Sequence, residues 1–381
     1  MTEKKERILF LDLLRFVAVV MMVEGHTIDV LIAGEFKTPN SAFYSVWSYF
    51  RGFTAPIFMF TSGVVFTYLL TRRNLPFRDN PRVQKGVKRF AALMIIGYLL
   101  HLPTLKFYSL ENVTDEQWLM FFNVDALQLI ASGLLFILAI YFVADKWKIK
   151  LRILLFAATL ALLVVSPIAA RINWTEILPL PLAAYFYGGN LSFFPLFPWL
   201  GYVTSGAILG NYLSTHKHIL LERKTVYLFL YIGLTLIVSS ELIGGIKEFV
   251  FKEFDWLWVS KTAVFRTGAI FLLLSMLFMI SLTVKNVPNS VINYGTHTLS
   301  VYVLHLTILY GSVLSVGAKY FIGAEFTIAE SVLSAIFMII LMGIFANLIT
   351  KFDKNSFNVQ LARAGLLFKL KFLKKSYEKI N

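Results

Sequence analysis

The 381-residue chain contains no cysteine. That excludes disulfides, thiolate nucleophiles, thiolate metal sites and palmitoylation, and it leaves the redox compartment unmarked. Charge is scarce as well: 15% of residues are Asp, Glu, Lys or Arg, against 57% hydrophobic, and mean hydropathy is +0.70. Soluble domains hold about 45–50% apolar and about 25% charged residues, so an ordinary soluble fold is excluded. Long polar segments are missing too, because the interruptions between apolar runs reach only about 20–30 residues, too short for a separate soluble domain. No HExxH, P-loop or GxSxG motif occurs. Zincin, nucleotide-hydrolase and serine-hydrolase chemistry therefore have no motif behind them.

What the sequence has is apolar runs of membrane length. Segments 8–32, 46–70, 88–103, 122–144, 151–169, 192–213, 225–242, 262–283, 295–316 and 328–350 predict about ten transmembrane helices, an all-α polytopic membrane protein. An even count puts both termini on one side. The start MTEKKER is basic, but the run after it is too long for a signal h-region and has no clear cleavage site, so it is expected to stay as a mature helix. The net charge of +14 sorts by membrane side rather than forming an aromatic-interleaved nucleic-acid surface. With the N-terminus inside, inner segments hold about 26 Lys/Arg and outer ones about nine, which the positive-inside rule reads as both termini cytoplasmic.

One membrane domain over 1–354 is expected, followed by a basic amphipathic tail over 355–381 whose Lys369, Lys371, Lys374 and Lys375 alternate with Leu and Phe. The larger outer loops, 104–121 and 170–191, are aromatic-rich. A multi-pass cell-membrane location follows, with the bilayer as one partner, no nucleic acid and a homodimer left open. His216 and His218 sit on an inner loop with no third ligand nearby and read as solvated charge, so no metal is expected.

The first run carries ionisable groups where lipid-facing helices tolerate few. At about 100° per residue, Asp12, Arg15, His26 and Asp29 share an arc of roughly 100°, with Glu24 turned away. A charge at the bilayer centre costs about 2.5–3.5 kcal/mol on insertion scales, so such a stripe faces a bundle interior or a wet cavity. Depth counted at 1.5 Å per residue puts His26, Asp29, Arg51, Asp125, Gln128 and Arg266 in one outer layer, with Trp199 about two turns into its run and His305 nearer mid-depth. These positions also have bland uses. An intramembrane His or Gln bridges helices, Arg51 and Arg266 snorkel, Asp12 and Arg15 pair on their own helix, and Ser62 and Gly63 serve packing.

Arg15, ten residues and His26 resemble the Arg/His signature of the acyltransferase-3 family. The stretches LDLLRFVAVVMMVEGHTID, FRGFTAPIFMFTSGVVF, VDALQLIASGLLF, FPLFPWLGYVTSGAILG and YGTHTLSVYVLHLTILYG resemble, in order, the related heparan-α-glucosaminide N-acetyltransferase-like domain across about residues 7–316. The resemblance implies a membrane acyltransferase using cytoplasmic acyl-CoA, commonly acetyl-CoA, as co-substrate to modify a sugar or glycan at the far side. It implies His26 as catalytic histidine and Arg15 as its motif arginine.

Residue chemistry fits beside it. A neutral histidine can take the acceptor's proton, or carry the acyl group itself. Asp29 or Asp125 would orient it, and Arg51 or Arg266 would stabilise a thioester oxyanion. Arg15, Arg51, Gln128, Trp199, Arg266 and His305 form the expected substrate-binding set. Arg72, Arg73, Lys85, Lys88 and Arg89 are the expected acyl-CoA phosphate ligands. The rival reading is a proton-coupled transporter or flippase with a relay through His26, Asp29, Asp125 and His305.

Overall fold

The computed structural model describes the backbone of residues 8–103, 112–186, 192–250, 257–284, 286–313 and 315–377, and side chains throughout these except 221, 246–250, 257–259 and 353–377. The expected tail side chains, and loop residues 104–111 and 187–191, lie outside the described residues. The described helices are α1 (Leu9–Leu31), α2 (Ala42–Arg51), α3 (Thr54–Thr71), α4 (Pro81–Leu100), α5 (Asp115–Phe122), α6 (Ala126–Trp147), α7 (Leu151–Ala169), the short α8 (Trp174–Ile177) and α9 (Leu180–Ala183), α10 (Leu196–Thr215), α11 (Lys224–Val250), α12 (Leu257–Thr283), α13 (Asn289–Thr296), α14 (Thr298–Tyr310), α15 (Ala318–Ile322) and α16 (Ile328–Tyr377). One small hairpin pairs Gly311–Ser312 with Ser315–Val316.

The fold is all-α and membrane-like. Among the described residues six helical segments are long and apolar enough to cross a bilayer: Ala42–Thr71, Asp115–Trp147, Leu151–Ala169, Lys224–Gly245, Ser260–Thr283 and Ile328–Phe352. The first helix is not among them, and four charged residues (Asp12, Arg15, Glu24 and Asp29) lie within it. Outward surfaces of α7, α11 and α16 are apolar, as lipid contact demands, with Phe156, Tyr231, Leu242 and Phe337 exposed.

Several expected boundaries move for local reasons. The run expected as one helix over 46–70 is broken at Gly52 and Phe53 into α2 and α3. The helix expected from 122 begins at Ala126 because Asp125 is its cap, accepting from the Ala126 amide at 2.7 Å. The one expected from 88 begins at Pro81, capped by Asn80 with proline at the first position. The run expected over 295–316 divides at His297, and α14 stops at Gly311, whose φ of +85° only glycine adopts readily.

Because lipid tails are as apolar as leucine, helices in a membrane associate through close packing rather than water exclusion. The α3–α10 pair shows this. A Cβ on Gly63 would lie 1.9 Å from the Val203 carbonyl oxygen, and one on Gly206 would lie 2.0 Å from that of Phe60. Around this contact, α7 packs on α10, α4 on α6, α12 on α11, and α1 on α3, α13 and α16. The centre is filled by Leu14, Val19, Phe60, Val64, Leu134, Val203, Phe229 and Phe278.

Candidate active site

A cavity of about 350 Å³ opens among α1, α2, α3, α6, α10, α12 and α14. Its lining includes His26, Arg51, Asp125, Trp199 and Arg266, five of the residues selected from sequence, together with Tyr302. Tertiary structure brings them together from positions up to 276 apart in numbering, as residues 26 and 302 show. The loop at 192–194 is tied to the start of α6, through Val124 N–H to Ser192 Oγ at 3.0 Å and Phe194 N–H to the Val124 carbonyl at 3.0 Å. That tie sets Phe194 edge-on to Trp199, with ring centroids 4.8 Å apart, at the cavity wall.

His26 is held by Tyr310, which the sequence reading missed, and by His305, which it named. Its Nδ1 lies 3.2 Å from the Tyr310 hydroxyl, and its ring sits 5.4 Å from that of His305. Tyr310 is the last residue of α14, so the glycine turn after it fixes where this hydroxyl falls. His305 lies behind His26 rather than at the cavity surface. It is fully buried, its Nδ1 is 2.8 Å from the Val301 carbonyl, and its Nε2 has no partner.

Neither expected carboxylate touches His26 through a hydrogen bond. Asp29 binds Arg51 in a bidentate pair, both contacts at 3.0 Å, and Lys37 donates to the Asp29 carbonyl at 2.7 Å. Asp125 caps α6 with one oxygen and accepts from the Tyr302 hydroxyl at 2.6 Å with the other. Glu24, off the stripe, accepts from Trp47 Nε1 at 2.5 Å, and Trp47 also lies 5.3 Å from the Arg51 guanidinium. Phenol partners at 302 and 310 leave no charge pattern in a sequence, and one helix turn of aromatic residues reads as packing.

Arg266 lies against the Tyr202 hydroxyl and reaches Gly52, where an added Cβ would stand 3.1 Å from its Nη2. Among the described residues it has no carboxylate partner. The break between α2 and α3 thus makes room for a cation as well as bending the chain. Gln128 is fully buried on α6 behind the cavity, its amide unpaired and packed on Gly97.

Residues 7–243 match the family model described as heparan-alpha-glucosaminide N-acetyltransferase, catalytic. The chain belongs to this family. The match covers α1 to most of α11, including His26, Arg51, Asp125 and Trp199, whereas Arg266, Tyr302, His305 and Tyr310 come from the helices beyond it. No curated protein and no solved structure matches the chain significantly.

The remaining expected residues of this family member lie elsewhere. Arg15 is three turns from His26 on α1, 3.6 Å from Asp12, and close enough to Arg89 of α4 for the two cations to repel. Arg72 and Arg73 follow the end of α3, and Lys85, Lys88 and Arg89 occupy the exposed face of α4. None of the five lines the cavity that holds His26. Among the described residues no three His, Asp or Glu side chains converge as a metal site.

Proposed function

We propose that this family member is a membrane acyltransferase that moves an acyl group, most simply acetyl, from cytoplasmic acyl-CoA to a hydroxyl or amine of an envelope sugar or glycan. The observation that carries the reading is the His26 cavity, where a histidine, an arginine free of carboxylates and an aromatic wall converge inside the family's domain. With Nδ1 engaged by Tyr310, Nε2 of His26 is the nitrogen left for chemistry. It takes the proton of the acceptor as that group attacks the thioester carbonyl, and the proton then passes to the departing thiolate. The same nitrogen can instead attack first and carry the acyl group to the acceptor. Arg266 is assigned to the developing oxyanion because the charge of Arg51 is already bound by Asp29. Trp199 offers the acceptor a flat apolar wall. Asp125 acts through Tyr302, Asp29 acts through Arg51, and His305 supports the His26 ring from behind.

The donor's phosphates are assigned to the opposite end of α1. Arg15 and Arg89 are near enough to repel, and Arg72, Arg73, Lys85 and Lys88 add positive charge at that end, which favours an anion there. Eleven residues of α1 separate Arg15 from His26, roughly 16 Å at 1.5 Å per residue, a distance for the pantetheine arm to cross. This arrangement goes with ten spans, both termini cytoplasmic, a cell-membrane location, and one catalytic domain over 1–354 with 355–381 as a basic surface segment.

The test is transfer of radiolabelled acetyl from acetyl-CoA to envelope sugars by purified protein. His26→Ala should abolish product while leaving the folded protein intact. Proton-driven solute flux without thioester consumption would instead favour the transporter reading.

A further inference from the structure

Two further cavities lie away from His26, and neither is used by the proposed reaction. The first, of about 1080 Å³, is bounded by the ends of α3, α6 and α10 and the start of α7, and presents Lys148, Lys150, Arg152 and His216. The second, of about 650 Å³, continues from it between α7, α10, α11 and α12, and shares Arg152, Phe156 and Ile208 with the first. The first carries the basic side chains; the second is mainly apolar, walled by Leu, Ile, Phe and Val with Thr159, Ser205, Thr267, Tyr202 and Tyr212 between them.

The geometry points to an anionic glycerophospholipid, its phosphate at the start of α7 and one acyl chain in the apolar groove. Four observations converge. Arg152 has only neutral partners, the Thr215 hydroxyl at 3.2 Å and the Tyr212 ring at 5.0 Å, and its Nε is buried with no acceptor at all. The N-terminus of α7 opens into the same cavity without a side-chain cap, where its amides favour an anion. The one carboxylate in the cavity, Asp145, is already bound by Lys148 at 3.1 Å and by the Phe77 amide at 3.0 Å, so it leaves Lys150 and Arg152 unneutralised. The groove runs along α7 from Arg152 to Leu163, roughly 16 Å at 1.5 Å per residue, which is about half the ~30 Å hydrocarbon thickness.

The groove also distinguishes a lipid tail from a pantetheine arm. A pantetheine arm carries two amides that need partners in a low-dielectric site. The hydroxyls of Thr159, Ser205 and Thr267 already donate, to Leu155 or Thr204, to Tyr202 and to Ala263, which leaves Arg152 and the Tyr202 and Tyr212 hydroxyls as the side-chain donors of the lining. An alkyl chain needs no such partner. Lateral entry is open as well, since Phe156 is 63% and Leu160 52% exposed on the bilayer side. The far wall ends at Tyr202, the residue against Arg266, so a seated lipid would abut the active cavity without entering it.

The test is native mass spectrometry of the full chain in detergent with phosphatidylglycerol, phosphatidylcholine or diacylglycerol of identical chains added. Phosphatidylglycerol should give the most adduct and diacylglycerol the least. Arg152→Ala should reduce phosphatidylglycerol adducts roughly tenfold, as loss of a charge-assisted hydrogen bond does. Ser205→Leu, which fills the groove without touching the cations, should reduce them too. Equal binding of all three lipids, or adducts unaffected by both variants, would overturn the assignment. Displacement of bound phosphatidylglycerol by free CoA would also overturn it and give the cavity to the donor. No acyl transfer enters the readout, so the result stands apart from the reaction assigned to His26.

Discussion

The His26 cavity and the Arg152 cavity differ in how their charges are answered. Around His26 each carboxylate is committed: Asp29 to Arg51, Asp125 to Tyr302 and the α6 cap, Glu24 to Trp47. Around Arg152 the cation has a hydroxyl and a ring, and a buried Nε without an acceptor. Carboxylates already committed within the protein hold the groups around His26 in place without reorganisation, which suits chemistry, and leave Arg266, against the neutral Tyr202, for charge that develops there. A cation answered only by neutral groups suits an anion that arrives from outside.

Breaking that comparison should produce its largest effect at His26. His26→Ala should lower acetyl transfer by about 10²–10⁴-fold, measured with radiolabelled donor, because it removes the general base or acyl carrier. Next in size, Asp29→Asn leaves the Arg51 guanidinium without its counter-charge and should cost about 1–3 kcal/mol of stability in thermal unfolding of the detergent-solubilised protein, a range that allows for the pair's partial exposure. Tyr310→Phe keeps the ring packed on His26 but removes the hydroxyl at Nδ1. A rate loss of roughly fivefold is expected, with binding of the acceptor little changed. Smallest, Arg152→Gln should leave transfer within about twofold, since it disturbs no network around the reacting groups.

Much of the membrane architecture was legible because apolar runs are long and charges inside them are costly. Breaks in the second and ninth runs were not, since Gly52 and His297 interrupt helices without interrupting hydropathy. The same physics governs the site. His26, Arg51, Asp125, Trp199 and Arg266 stood out as polar or amphipathic groups at one depth, and the fold gathers them. Depth along separate helices cannot show which side chain meets which, so the carboxylate partners of His26 were expected where Tyr310 stands. Arg152 was invisible as a site because basic residues at an inner helix end already satisfy topology.

The most direct test of the central claim separates donor from acceptor across a membrane. Protein reconstituted in sealed vesicles would receive acetyl-CoA on the side that carries Arg72, Arg73, Lys85 and Lys88 and an amino sugar or glycan on the other. Acetylated product on the acceptor side, present with wild type and absent with His26→Ala, is the predicted result. Intact thioester across acyl donors and acceptors, together with solute movement driven by a proton gradient, would contradict it.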